Sequence, residues 1–224
     1  MYKELFDEEK QNKMRNFFIN DFAPLGNVYN YSKNEVININ EDSFVAVVTR
    51  GRVKHSLYDT NGGEKLLYFL KSGEIFGEVD YFTGSKLSLI VKTMEPTTIS
   101  VVPGNILDEF LISKPMAYRY FIHSISRKYR ISIFQISDML FSSSNPRIAD
   151  TIYRLALQDL TYVDGNYIIN TAMTHQDLAD LIGCSRVTVT RTLKRLKTEG
   201  VIDVKNKKII IKDLDKLKSH IETF

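Results

Sequence analysis

Between Thr174 and Glu199 the chain reads THQDLADLIGCSRVTVTRTLKRLKTE, and the residue types there suit contact with a polyanion. From Arg186 to Lys197 it carries five cations, Arg186, Arg191, Lys194, Arg195 and Lys197, and no acid. Solvated helices ordinarily mix signs to gain ion pairs at four-residue spacing, so a run of one sign forgoes that stabilisation and points to phosphate. Arginine adds a means of reading sequence, because a guanidinium donates two parallel bonds to guanine O6 and N7.

The apolar spacing predicts two helices around a tight turn. Thr174 caps the first, with Asp177 completing a capping box, and Leu178, Leu181 and Ile182 form its buried side. Gly183 supplies the permissive backbone for the turn and Ser185 caps the next helix. That helix buries Val189, Leu193 and Leu196, leaving Arg186, Thr188, Thr190, Arg191, Lys194, Arg195 and Lys197 for other faces. Gly200 then ends the run in a left-handed cap. VIDVKNKKIIIKDL alternates as two strands about an Asn206-Lys207 turn, a wing that brings Lys205, Lys207 and Lys208 near a phosphate backbone. A winged helix used only for protein contacts is the plainer alternative, and the unbalanced positive face argues against it.

On Gly183-Cys184-Ser185-Arg186, Thr188-Val189 and Arg191, this segment resembles the winged helix-turn-helix of the Crp/Fnr superfamily of bacterial transcription regulators. The resemblance implies double-stranded DNA as partner, with RNA polymerase as a further one, and base or phosphate contacts for Arg186 and Arg191. One departure is Val187, where many members carry a glutamate that accepts from cytosine. Valine offers only contact with a thymine methyl, so an A/T-richer half-site is expected.

At 224 residues, 43% apolar and 25% charged, the chain is long enough for two ordinary domains. The net charge of +3 is uninformative, but residues 1–111 hold 12 Lys/Arg against 16 Asp/Glu and residues 112–224 hold 18 against 11. Nucleic acid therefore belongs to the second half. One cysteine, Cys184, excludes a disulfide framework within the chain. No apolar run approaches the roughly 18 residues of a membrane span and MYKELFDEEKQNKMRN lacks a secretion-signal core, so a cytoplasmic protein is expected.

From about Val28 to Pro103, short alternating runs separated by glycines predict an antiparallel roll: Phe44 to Val48, Arg52 to Tyr58, Glu64 to Leu70, Leu89 to Met94 and Thr97 to Val102. This part resembles the cyclic-nucleotide-binding-type jelly roll of the same superfamily. There, Phe-Gly-Glu opens a phosphate-binding cassette whose glutamate takes a ribose hydroxyl and whose downstream Arg-Ser-Ala neutralises the cyclic phosphate. Here Phe76-Gly77-Glu78 is present, but the arginine place falls on Leu87. Lys86 is adjacent and points the other way if the strand register holds. A buried phosphate without its counter-charge is poorly compensated, so an effector other than cyclic AMP is expected. The plainer reading of Phe76-Gly77-Glu78 is a turn the roll needs.

Tyr68, Phe76, Gly77, Glu78, Lys86, Leu87 and Ser88 are the residues expected at an effector pocket. GEKLLYFLKSGEIFGE and Asn145-Pro146-Arg147 look more like the regulators of dehalogenating respiration than the cyclic-AMP receptors. That makes an aromatic effector conceivable, with Tyr81 and Phe82 as further wall residues. No cofactor is expected.

SKPMAYRYFIHSISRKYRISIFQISDMLFS predicts one long helix, capped at Ser113 with Pro115 in its first turn. Ile122, Ile125, Tyr129, Ile133, Ile136 and Leu140 fall on one seam, and Arg127, Lys128 and Arg130 on a solvated face. The resemblance implies a two-fold dimer along this seam; a helix buried within one domain is the alternative. Ser142-Ser143-Ser144-Asn145-Pro146 is the expected hinge.

The four histidines, His55, His123, His175 and His220, show no metal-ligand spacing, and no serine or cysteine stands in a nucleophile motif, so an enzyme is not expected. Two rivals stay open: a haem sensor using His55 or His123, and a constitutive DNA binder with a vestigial roll. The expected fold is α+β: a β-roll sensor over 1–111, a dimerisation helix over 112–142, and a winged helix-turn-helix over 143–224.

Overall fold

The computed structural model describes residues 7–163 and 165–221. They divide into two compact units, Glu8–Ser132 and one beginning at Ile133.

The strand β2 (Phe44–Arg50) explains the layering of the first unit. Val45 and Val47 pack into a helical core, while Ala46 and Val48 pack into the roll interior. A strand covered on both faces reads as a continuous apolar run, FVAVV, in place of alternation. β2 lies with β1 (Asn27–Tyr31), β5 (Ile75–Phe76) and β7 (Thr97–Pro103) in a sheet of order β1-β7-β2-β5. The facing sheet has the order β4-β3-β6, with β3 (Arg52–Tyr58), β4 (Glu64–Lys71) and β6 (Ile90–Thr93). All pairings are antiparallel. Gly51 joins β2 to β3 at φ 84°, where a Cβ would fall 2.6 Å from the Pro96 carbonyl oxygen.

The helical layer begins with α1 (Glu8–Phe17), which runs into a π turn (Phe18–Phe22) and a 3-10 turn (Ala23–Leu25). Met14, Phe18 and Phe22 are buried against Leu107 and Phe110 of a later helix and Phe121. The Phe18 and Phe22 rings meet Phe121 edge-on at 5.1 and 5.3 Å. Ser113 does not cap the long helix: it ends α3 (Gly104–Ser113), its hydroxyl donating to the Phe110 carbonyl at 2.9 Å. A 3-10 turn at Pro115–Ala117 follows, since proline's fixed φ favours a first turn, and α4 runs Tyr118–Phe141.

In the second unit only Ser142 and Ser143 separate α4 from α5 (Ser144–Gln158). Arg154 of α5 is held between Asp138 of α4 and Asp150, 3.0 Å away. Burial, together with the nearby Asp150 charge, pushes the Asp138 carboxyl up to about 6 in spite of Arg154. A hairpin of β8 (Leu160–Val163) and β9 (Asn166–Ile169) precedes α6 (His175–Ile182) and α7 (Arg186–Thr198). Then come β10 (Ile202–Lys205), β11 (Lys208–Ile211) and α8 (Leu214–Ser219). The wing is thus part of a four-stranded sheet of order β10-β11-β9-β8, with Ile210 opposite Ile168 and Ile211 opposite Tyr167.

Candidate nucleic-acid interface and sensor site

The helix-turn-helix is built as its spacing predicts. The Thr174 hydroxyl accepts from the Asp177 amide at 3.0 Å, and the Asp177 carboxylate accepts from the Thr174 amide at 2.9 Å. Gly183 ends α6 at φ 74°, and Ser185 Oγ accepts from the Thr188 amide at 3.1 Å to start α7. α7 buries Val189, Thr192, Leu193 and Leu196 and exposes Arg186, Val187, Thr190, Arg191 and Lys194; Thr188 is half-buried beside the cap. Val187 is 56% exposed, an apolar side chain held out toward whatever α7 meets.

The five cations divide. Lys197 pairs with Asp203 of β10 at 2.6 Å and Arg195 leans on Glu199 at 3.7 Å. Among the described residues, Arg186, Arg191 and Lys194 form no ion pair. The uncompensated charge lies on the first two-thirds of the helix, the part that reaches base edges when such a helix enters a major groove. In the wing turn Asn206 and Lys207 both take left-handed backbone, φ 53° and 61°, the geometry of a two-residue hairpin turn. Lys205 and Lys207 are exposed and Lys208 is half-buried. His175, not singled out by the sequence, stands with its Nδ1 2.9 Å from the Thr190 hydroxyl.

In the roll, Gly77 turns the chain at φ 89°, where a Cβ would fall 2.8 Å from the Phe44 carbonyl oxygen, and so delivers Glu78 to the interior. Glu78 is met there by Lys128 of α4, which also donates to the Ile75 carbonyl at 2.7 Å and lies 5.7 Å from the Tyr68 ring centre. Beside it, Glu74 receives Arg15 at 2.7 Å and Arg127 at 3.4 Å. Arg127 and Lys128 are buried, which corrects the expected solvated face: their partners lie some fifty residues away in sequence. Burial would raise the Glu74 carboxyl, but Arg127 and Arg15 hold it below the ordinary range. Burial, helped by the Lys128 charge, pushes His55 down to about 3, so its ring is neutral. Burial and the Glu78 charge push the Tyr68 hydroxyl up.

Tyr68, Phe76, Gly77 and Glu78 therefore converge with His55 and Lys128. Lys86, Leu87 and Ser88 are placed otherwise: they are exposed and precede β6 in a segment without strand structure, so the strand register invoked for Lys86 does not apply. Tyr81 and Phe82 belong to the helical side, Tyr81 donating to Asp108 and Phe82 packing 5.7 Å from Phe121, away from Tyr68 and Phe76. His55 sits against the Tyr68 and Phe76 rings, and His123 is hydrogen-bonded to Gln11 at 3.0 Å. Among the described residues no three His, Cys, Asp or Glu side chains are grouped to hold a metal ion, and no helix is long and apolar enough to cross a membrane.

A β-roll, a long helix and a winged helix-turn-helix whose cationic face is uncompensated among the described residues are the parts of a DNA-binding regulator. Comparison with known proteins agrees. Residues 146–220 match the Crp-like helix-turn-helix domain and residues 29–114 the cyclic nucleotide-binding domain. Over 184 residues the chain is 30% identical to the cAMP-activated global transcriptional regulator CRP of Haemophilus influenzae, covering 80% of this chain and 81% of that one. Among solved structures, a CooA mutant from Carboxydothermus hydrogenoformans aligns with a TM-score of 0.75 at 22% identity over 88% of each chain. CprK complexed with OCPA aligns at 0.70 and 22% over 92% of each. These two show the shared fold. The chain belongs to the Crp/Fnr superfamily and is a DNA-binding transcription regulator, not an enzyme.

Proposed function

We propose that the chain is a homodimeric regulator of a palindromic, A/T-rich operator, gated by a small-molecule effector other than cyclic AMP. The observation that carries the choice of effector is the Lys128–Glu78 pair: the carboxylate that would take a ribose hydroxyl is already held by an internal cation. Leu87, 51% exposed, stands at the arginine place and supplies no charge for a cyclic phosphate. What surrounds Lys128 is aromatic and polar, Tyr68, Phe76 and neutral His55, and suits a compact organic molecule better than a nucleotide. Dimerisation is supported by the seam on α4, where Tyr129 and Leu140 are 67% and 70% exposed and Ile122, Ile133 and Ile136 are also exposed; Ile125 is half-buried. Such a stripe is costly to leave in water and has the spacing of a helix pair. The A/T preference rests on exposed Val187, which has no acceptor for cytosine. RNA polymerase is the further partner this role entails.

A thermal-shift titration tests the effector reading. Cyclic AMP at millimolar concentration is expected to leave the melting temperature unchanged, whereas a dose-dependent rise would contradict it. The same pair favours one second reading, a roll complete without ligand in a constitutive DNA binder. Specific DNA binding by ligand-free protein, with no stabilising compound among nucleotides, phenols, thiols and metabolites, would decide for that reading.

A further inference from the structure

We propose that His175 is a DNA-phosphate contact that works only when protonated, so that the chain's affinity for DNA is coupled to pH. The inference rests on the DNA-binding role of the winged helix-turn-helix and adds a residue and a form of control to it. His175 opens α6 and is half-buried, and its Nδ1 lies 2.9 Å from the hydroxyl of Thr190 on the exposed side of α7. A threonine hydroxyl has one proton and two lone pairs. Thr190 directs its proton to the Arg186 carbonyl oxygen, one turn back along α7 and 2.9 Å away. Toward His175 it can therefore only accept, and Nδ1 must carry a proton.

That assignment fixes what the other ring nitrogen does. In the neutral ring, Nδ1–H leaves Nε2 as a bare acceptor, and a phosphate oxygen is an acceptor too, so the two cannot bond. One added proton converts Nε2 into a charge-assisted donor while Thr190 still holds the ring by Nδ1. Histidine is the side chain whose charge ordinarily changes between about pH 5 and 8. Protonation and DNA binding then favour one another.

The surroundings leave phosphate as the partner. Asp177 on the same helix is engaged with the Thr174 amide at 2.9 Å and hydroxyl at 2.6 Å, and Asp180 accepts from Gln176 at 2.7 Å. Of the charged groups of α7, Arg195 and Lys197 pair with Glu199 and Asp203, and Arg186, Arg191 and Lys194 are cations with no ion pair among the described residues. Lys207 of the wing turn, whose carbonyl accepts from the Met173 amide at 2.8 Å, is a further cation.

The test uses the full chain and a mixed-sequence duplex, since a phosphate contact needs no particular site, with binding followed by fluorescence anisotropy at fixed ionic strength. Wild type should bind roughly three- to tenfold more tightly per protomer at about pH 6 than at about pH 8. Its plot of log affinity against log salt should steepen by about 0.9 per protomer, the signature of one more phosphate neutralised. His175→Gln should lose both the pH gain and the steepening, and His175→Lys should show the steeper slope at both pH values. Thr190→Val, which removes the acceptor that orients the ring, should give a smaller gain than wild type. A merely structural histidine would change affinity without touching the slope. A His175→Gln protein with the wild-type gain and slope overturns the proposal, as does a wild type indifferent to pH. Failure of wild type to bind duplex at any salt concentration would instead strike the DNA-binding role itself.

Discussion

Arg186, Arg191 and Lys194 on α7 are exposed and have no acid partner among the described residues, whereas Arg127 and Lys128 on α4 are buried and each rests on a glutamate. Both helices carry runs of cations, so a charge run alone does not say what it is for. The difference is where the opposing charge comes from. On α7 it must come from another molecule, and leaving the cations open costs little in water while reserving them for phosphate. On α4 it comes from the strand-to-helix turn around Gly77, and the pairs are sheltered from water. There, removing one partner strands the other. One region is built to wait for its counter-charge and the other has its own.

The largest effect should come from breaking the inner arrangement. Lys128→Met leaves Glu78 buried without compensation and should cost about 3–5 kcal/mol in urea unfolding. The double variant Lys128→Met/Glu78→Gln should recover most of that loss, because removing both charges also removes the desolvation cost. Equal losses in single and double variants would show that packing, not charge, is what Lys128 contributes. Opening the outer arrangement should leave stability nearly unchanged. Arg186→Ala should cost about 1–3 kcal/mol in DNA binding and relax preference at one base position, read from a panel of single-base operator variants.

The wing should show a smaller, sequence-independent effect. Lys207 sits at φ 61°, so asparagine, which tolerates left-handed backbone, is the variant that keeps the turn. Lys207→Asn should weaken all duplexes evenly and lower the salt slope by about 1. The effect that is smallest at neutral pH, because it develops only in acid, is a change in pH profile. His55 titrates at about 3 in the folded chain against an ordinary 6.5, so the unfolded chain binds the extra proton. Its contribution is complete above the ordinary value and is lost as pH falls toward the folded one. Melting temperatures of His55→Phe should therefore fall less steeply with acid than those of wild type. Asp138 acts in the opposite sense: its carboxyl is raised to about 6, so its contribution is present at low pH and fades as pH rises through that value.

The same contrast explains what the sequence made legible. The helix-turn-helix could be read closely, down to its capping box and both helix starts, because every determinant lies within a few residues of its effect. Five of the seven roll strands and the wing turn were legible for the same reason, whereas β1 and the two-residue β5 were not. The burial of Arg127 and Lys128 was not, because it depends on Glu74 and Glu78 arriving from another part of the chain. The π turn at Phe18–Phe22 and the hairpin β8–β9 were also missed. The first has no regular apolar period, and the second does not alternate: LTYV buries no residue fully and NYII only Ile169. His175 had a faint signal in its place at the head of α6, but only its distance to Thr190 separates it from an ordinary solvated histidine.

The most direct test of the contrast is selection of bound duplexes from a random DNA pool by the full-length wild type and by Arg186→Ala in parallel. The account predicts that wild type enriches an A/T-rich palindrome with half-sites about one helical turn apart, and that Arg186→Ala loses preference at one symmetric position. An invariant cytosine-guanine core, a single unpaired half-site, or identical pools from the two proteins would contradict it.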